Sequence, residues 1–202
     1  MDSTAVSFYN IQHFHEIEAV YTCCLYKKDL TNVSTFFGPH LDNKTNEDVR
    51  GIALSHCKIK CFPRELTKIF PNMDHIAING GLKEISKDDL SGFKKLKFLD
   101  LQGCEIAELS GDLFENTPNL ELIYLSHNRI SKIGRKVLEP LMSLKYISFH
   151  GNDNIDAVYD VDKPSEFTLE EIKALIMVNC QAENGPGDNF KGITNAVRAS
   201  GL

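Results

Sequence analysis

The stretch Leu120–Ile133, LELIYLSHNRISKI, carries the spacing L-x-x-I-x-L-x-x-N-x-I-x-x-I. Its apolar residues at 120, 123 and 125 open with a gap of three and close to a gap of two. An amphipathic helix would hold a period near 3.6, and a half-buried strand a period of two throughout, so the phrase fits neither. It predicts a short strand with Ile123 and Leu125 pointing the same way, followed by a turn that sets Asn128 among buried apolar side chains. A buried amide has to be hydrogen-bonded, and Asn can cap free backbone groups of a neighbouring coil. Such a neighbour exists only if the phrase repeats.

It repeats. Leu96-Lys-Phe-Leu99-Asp-Leu101-Gln-Gly-Cys104-Glu-Ile106 lies upstream, preceded by Met73-Asp-His-Ile76-Ala-Ile78 and by Val49-Arg-Gly-Ile52-Ala-Leu54-Ser-His-Cys57-Lys-Ile59. Downstream, Leu144-Lys-Tyr-Ile147-Ser-Phe149-His-Gly-Asn152 begins a fifth copy. The starts at 49, 73, 96, 120 and 144 step by 24, 23, 24 and 24 residues. The short step falls where Ile78-Asn-Gly-Gly-Leu82 lacks one residue of the turn. The second half of the unit also recurs, with Leu113/Phe114, Leu90/Phe93, Val137/Leu138 and Ile69/Phe70 at corresponding places. An apolar plug there would fill the side of each coil opposite the strand.

A period of about two dozen residues with this phrase resembles the leucine-rich repeat family, in the form typical of extracellular proteins and receptor ectodomains. The resemblance is close over residues 49 to 155 and looser on the flanks. Tyr21-Thr-Cys-Cys-Leu25, FPREL at 62–66 and IFPN at 69–72 are similar to secreted insect members. The resemblance implies an α/β fold class, a curved right-handed β/α solenoid of about five repeats with a parallel concave sheet and a cap at each end. It also implies a binding module that takes a protein or peptide on the concave face.

Composition agrees with a folded binding domain and removes several other classes. With 202 residues, 42% of them hydrophobic, the chain can bury a single core. A net charge of −6 and a pI near 5.6 offer no basic field for nucleic acid. No apolar run is long enough to span a membrane, and no Gly-rich phosphate loop or His-Glu-x-x-His phrase is present. Neither a cofactor nor a metal is expected. The first residues, MDSTAVSFYNIQHFHEIEAVY, show no basic and then apolar segment of a signal peptide. The family resemblance nonetheless implies secretion, and Asn32-Val-Ser34 and Asn43-Lys-Thr45 are glycosylation acceptors.

Of the six cysteines, Cys57 and Cys104 fall on the asparagine position of the first and third repeats, where a small buried thiol replaces the amide. Zinc bound by His56, Cys57 and Cys61 is the rival use, and its ligand spacing is irregular. Secreted relatives close each solenoid end with a disulfide-bonded cap. By that resemblance Cys23 or Cys24 could pair with Cys61, whereas no cysteine follows Asn152 where a partner for Cys180 would be expected.

In chain order, residues 1–48 read as a loosely packed lead-in followed by a hairpin-like cap over Ile17–Thr31, with its turn at Lys27-Lys28-Asp29. A solenoid needs such a cap because its terminal coil exposes core and unpaired strand groups. The repeats fill residues 49–152. Residues 153–180 form the C-terminal cap, an acidic connection and then a helix over about 168–180. Thr168-Leu-Glu-Glu171 is the capping-box pattern that starts this helix, and Leu169, Ile172, Leu175, Ile176 and Cys180 form its apolar face. Residues 181–202 have the composition of a mobile terminus.

Parallel strands stack their outward side chains in columns about 4.8 Å apart. One column holds Ala53, Ala77, Asp100, Tyr124 and Ser148, and a second Ser55, Asn79, Gln102, Ser126 and His150. A third holds Gly51, His75, Phe98, Leu122 and Tyr146. The last, Arg50, Asp74, Lys97, Glu121 and Lys145, alternates in sign and predicts pairing along the ladder. Phe98, Leu122, Tyr124 and Tyr146 group large apolar side chains on the outward face. They are either the anchor of a binding surface or are covered by loops and the C-terminal cap. The expected binding surface is therefore Phe98, Asp100, Gln102, Leu122, Tyr124, Ser126, Tyr146, Ser148 and His150. His127 and His150 sit near one rim without a placed carboxylate, and the register brings together no catalytic triad, so no enzyme is expected. The alternatives are an intracellular adaptor of the same fold, or a structural protein assembled through its solenoid ends.

Overall fold

Each copy of the repeat lays down one short strand and returns through a loop, so that consecutive strands meet in parallel. The computed structural model describes residues 2–5, 7–11, 20–26, 28, 30, 33–59, 61–163 and 167–181. Before the repeats come β1 (Asp2–Ala5), β2 (Ser7–Ile11), β3 (Val20–Tyr26) and β4 (Val33–Phe37). The repeats then supply β5 (Gly51–Ser55), β6 (His75–Asn79), β7 (Phe98–Asp100), β9 (Leu122–Tyr124) and β11 (Tyr146–Ser148). On the return path β8 (Glu108–Leu109) pairs with β10 (Lys132–Ile133). The sheet is completed by β12 (Val158–Asp160), in the order β12-β11-β9-β7-β6-β5-β3-β2. Ile52, Ile76, Leu99, Ile123 and Ile147 face one another across the parallel pairs, which is the register that the repeat phrase predicts.

The inward positions form one continuous core. Ile52, Leu54, Ile76, Ile78, Leu99, Leu101, Ile123, Leu125, Ile147 and Phe149 are all essentially inaccessible. The plug behind them is built from Phe62, Leu66, Phe70, Leu90, Phe93, Leu113, Phe114, Val137 and Leu138. In the first repeat Leu66, on the single turn α1 (Leu66–Ile69), is buried and Ile69 is only partly so, a correction to the Ile69/Phe70 pairing. The second repeat uses another single turn, α2 (Lys87–Leu90), started by a reciprocal Ser86–Asp89 capping box. Coils three and four touch backbone to backbone, since a Cβ on Gly134 would stand 2.1 Å from the Gly111 nitrogen.

Asn128 shows what holds coil to coil. Its amide nitrogen donates to the carbonyl of Leu101 in the previous coil at 2.8 Å and to Leu125 in its own turn at 3.1 Å. Its oxygen accepts from the Ile106 N–H at 3.0 Å. Asn152 repeats the pattern one coil on, to Leu125 and Phe149 and from Ile130. Cys104 and Cys57 stand at the same position and reach back to the carbonyls of Ile78 and Leu25, at 3.4 and 3.6 Å. A thiol is a weak donor and a weak acceptor, so these two sites keep the link between coils in a weaker form.

Both ends depart from expectation. Val20–Tyr26 is not half of a hairpin turning at 27–29; it is one strand, parallel to β5, with Cys23 and Leu25 beside Ile52 and Leu54. It acts as an additional repeat strand, and its antiparallel partner β2 comes from the segment read as a loose lead-in. At the other end β12 runs antiparallel to β11 within what reads as an acidic connection. Antiparallel strands suit the last position because they close the sheet without another full coil. The final helix, α3 (Leu169–Gln181), begins with the Thr168–Glu171 capping box and buries Ile172, Leu175 and Ile176. Residues 182–202 lie outside the described residues.

The two kinds of link predict unequal costs. Asn128→Ala leaves buried backbone groups unpaired and is expected to cost roughly 2–4 kcal/mol. Cys104→Ala should cost about 1 kcal/mol, set by lost packing. Urea unfolding of the two variants beside the parent measures both.

Candidate functional site

The outward face of the sheet is where the repeat leaves residue choice free, and three zones divide it. The first is the charged edge that precedes the strands. Arg50 pairs with Asp74, and Glu121 lies between Lys97 at 3.2 Å and Lys145 at 2.5 Å, so the alternation of sign is realised as contacts. Asp74 also bonds the buried His75 ring at 2.5 Å. Burial pushes the Asp74 carboxyl up, but the His75 and Arg50 bonds outweigh it and hold it below its ordinary value. Glu121 is likewise held down, first by Lys145 and then, against some burial, by Lys97.

The second zone is aromatic. His75 stacks on Phe98 at 5.5 Å, Phe98 meets Tyr124 at 5.4 Å, and Tyr124 meets Tyr146 at 4.7 Å. Sequence reasoning allowed these side chains to be free anchors or covered, and Phe98, Leu122 and Tyr124 are 3%, 7% and 8% exposed. They form a second apolar cluster on the far side of the sheet from the main core, with Ala77 and Tyr146 at its margin. Rings on strands about 4.8 Å apart shield one another. The strand β12 adds a flank by bringing the buried Asp160 opposite Tyr146. Of this group Tyr146 remains half-buried.

The third zone is polar and follows the strand ends. Ser126 and Ser148 are buried and share a hydroxyl–hydroxyl bond of 2.7 Å. Asp100 and Gln102 are half-buried and accessible, with the Gln102 backbone N–H donating to Asp100 at 2.9 Å and its side-chain amide at 3.0 Å. Burial still raises the Asp100 carboxyl above its ordinary value, because those bonds do not replace all the water removed. His150 is exposed, packs edge-on against His127 at 5.3 Å, and bonds Asp156 at 2.8 Å. Sequence reasoning missed that carboxylate because Asp156 lies past the last repeat, where the register stops.

Of the nine residues expected at the surface, Asp100, Gln102, Tyr146 and His150 are accessible, and Phe98, Leu122, Tyr124, Ser126 and Ser148 form the floor beneath them. The added strand β3 extends the columns with Thr22, Cys24 and Tyr26. Asn43 is exposed at a positive φ of 61° in a turn, whereas Asn32 lies outside the described residues. The thiols of Cys23, Cys24, Cys57, Cys61 and Cys104 are unbridged, so the Cys23 or Cys24 pairing with Cys61 does not form. Burial pushes Cys23 up to about 12 and Cys24 to about 11, which keeps both protonated. His56 packs on Tyr26 while Cys57 bonds carbonyls inside the core, so the zinc reading loses its ligands. Among the described residues, no three His, Cys, Asp or Glu side chains are grouped to hold a metal ion.

Comparison with known proteins agrees with this architecture. A model of the leucine-rich repeat matches residues 96–153. The leucine-rich repeat-containing G-protein coupled receptor 5 of Rattus norvegicus is 29% identical over 104 residues, covering 52% of this chain and 11% of the receptor. A chain in the structure of the Drosophila Toll–Spatzle complex superposes with a TM-score of 0.50 at 18% identity, over 63% of this chain and 18% of that one. The chain thus spans a small part of the proteins that it matches.

A raised carboxylate has a signed consequence. Folded Asp100 binds a proton more readily than the unfolded chain does, so its contribution to stability is lost as pH rises above the ordinary carboxylate value. Asp100→Asn is therefore expected to raise the melting temperature at pH 7, with the gain disappearing below about pH 4. Thermal unfolding followed by circular dichroism across that range tests the sign.

Proposed function

This chain belongs to the leucine-rich repeat family, and we propose that it binds a protein or peptide segment on the concave face of its sheet. The observation that carries the reading is the accessible strip of Asp100, Gln102, Tyr146 and His150 over the aromatic floor of Phe98, Leu122 and Tyr124. Packed rings make a rigid floor, so little order has to be created when a partner settles on it. Asp100 offers a partly dehydrated acceptor to N–H donors of the partner, and Tyr146 supplies an aromatic contact of the kind enriched at binding hot spots. Ser126 and Ser148 join their hydroxyls, Ser148 also accepts from the His150 N–H at 3.3 Å, and the two shape the surface. A repeat scaffold of this kind binds, and no step of covalent chemistry is assigned to it.

Extracellular placement is part of the same proposal. It is supported by likeness to the repeats of a receptor and by the exposed turn at Asn43, two residues before Thr45. One observation favours an intracellular adaptor of the same fold instead, namely the five unbridged thiols.

The test captures partners from the source tissue on the immobilised chain and remeasures each isolated partner by calorimetry. Tyr146→Ala combined with His150→Ala is expected to weaken a concave-face partner by about 2 kcal/mol or more, roughly 30-fold, with the melting temperature nearly unchanged. Partners that bind both forms equally would sink the concave-face reading.

A further inference from the structure

A polar groove of about 430 Å³ opens beside the sheet, where the chain climbs into β7 and β9. Lys94, Lys95 and Lys97 line it together with Asp74, Asn119 and Glu121. Its two carboxylates are already engaged, Asp74 by Arg50 and His75 and Glu121 by Lys97 and Lys145. The lysines at its mouth differ. Lys94 bonds the Asn116 amide oxygen at 3.3 Å, and Lys95 the Asn72 amide oxygen at 2.7 Å. A neutral oxygen positions an ammonium without cancelling its charge. Counting Arg50, Lys94, Lys95, Lys97 and Lys145 against Asp74 and Glu121 leaves five minus two, or +3, on a chain whose net charge is −6. Asn72 is itself tied to the Glu47 carbonyl at 2.9 Å, and the lining residue Asn119 donates to the Lys94 carbonyl at 3.3 Å.

We propose that this groove docks an acidic peptide segment of a partner protein. Asn72 and Asn116 belong to coils two repeats apart, so Lys94 and Lys95 are drawn in opposite directions along the solenoid axis, over a span of roughly 10 Å. A polyproline-II segment has about three residues per turn and advances about 3.1 Å per residue, so carboxylates three residues apart share a face and reach both ammonium groups. The groove favours such a peptide over a densely charged polymer because Asp74 and Glu121 sit on its wall. Closely spaced sulfates or phosphates would meet these carboxylates, whereas backbone N–H groups between two acidic side chains can donate to them. The local positive field on an acidic protein also steers an anionic segment to this edge during encounter. The groove lies outside the strip of Asp100, Gln102, Tyr146 and His150, so this site goes beyond the concave-face proposal and stands or falls separately.

The test titrates the full chain into a dye-labelled, end-blocked peptide, Glu-Gly-Ser-Glu-Gly-Ser-Glu, followed by fluorescence anisotropy at low and at physiological salt. Lys94→Gln combined with Lys95→Gln is expected to weaken binding about fivefold or more and to reduce its salt dependence. Lys83→Gln combined with Lys132→Gln removes equal charge elsewhere and should change affinity less than about twofold. Tyr146→Ala should leave the peptide affinity unchanged, which separates this site from the concave face. Three results would overturn the proposal: no saturable peptide binding, equal weakening by the two lysine pairs, or a heparin-derived tetrasaccharide held more tightly than the peptide through Lys94 and Lys95.

Discussion

The hydrogen-bonded side chain that follows the strand in four of the five repeats, Cys57, Cys104, Asn128 and Asn152, reaches back one coil and is the contact on which the solenoid depends. A coil two dozen residues long turns through irregular backbone whose N–H and C=O groups face the interior, where water cannot reach them. Asn128 answers this by donating to Leu101 and Leu125 and accepting from Ile106, which ties its own turn to the turn before. The strands contribute only three to five paired residues each, too few to hold the stack alone. Where Cys57 and Cys104 replace the amide, the same carbonyl position in the preceding coil is contacted through a longer sulfur bond. The asparagine sites are clustered in the fourth and fifth repeats, so the ties between coils are strongest toward the C-terminal half.

Once the coils are locked in register, the outward residues have no freedom to choose neighbours. Their columns follow from strand pairing, and each column takes its character from residue type. In the charged column Asp74 is held by Arg50 and Glu121 by both Lys97 and Lys145, which leaves its carboxylates below their ordinary values and one cation in excess. The aromatic residues, set side by side at strand spacing, pack into a second small core on the open face. That packing converts an array of bulky apolar side chains into a floor, and leaves Asp100, Gln102 and Tyr146, all half-buried, and the exposed His150 as the accessible positions.

Much of this was legible because the governing interactions are local and periodic. Strand register, the plug of Leu90, Phe93, Leu113 and Phe114, the sign-alternating ladder and the Thr168–Glu171 cap all follow from spacing. The ends were not legible in the same way. Strand β3 carries Cys23 and Leu25 at repeat positions but has Lys28 where the amide would stand, so it reads as generic strand. Strand β12 is only three residues long and sits in an acidic run, and pairing with β11 alone makes it a strand. The groove at Lys94 and Lys95 was invisible for a related reason, since its walls come from three different coils.

The sequence by itself determined the repeat, its period, which side chains face inward, and the stacking of those that face outward. Each of these depends on residues within one period, and the same solution recurs in every copy. Only the tertiary structure decided how exposed the outward residues are, which strands close the two ends, and where unneutralised charge collects. Burial and electrostatics are sums over neighbours distant in the chain, and they vary with every side chain on adjacent coils. In LELIYLSHNRISKI, spacing is enough to place Asn128 inside, whereas the shielding of Tyr124 required Phe98 and Tyr146 from the coils on either side.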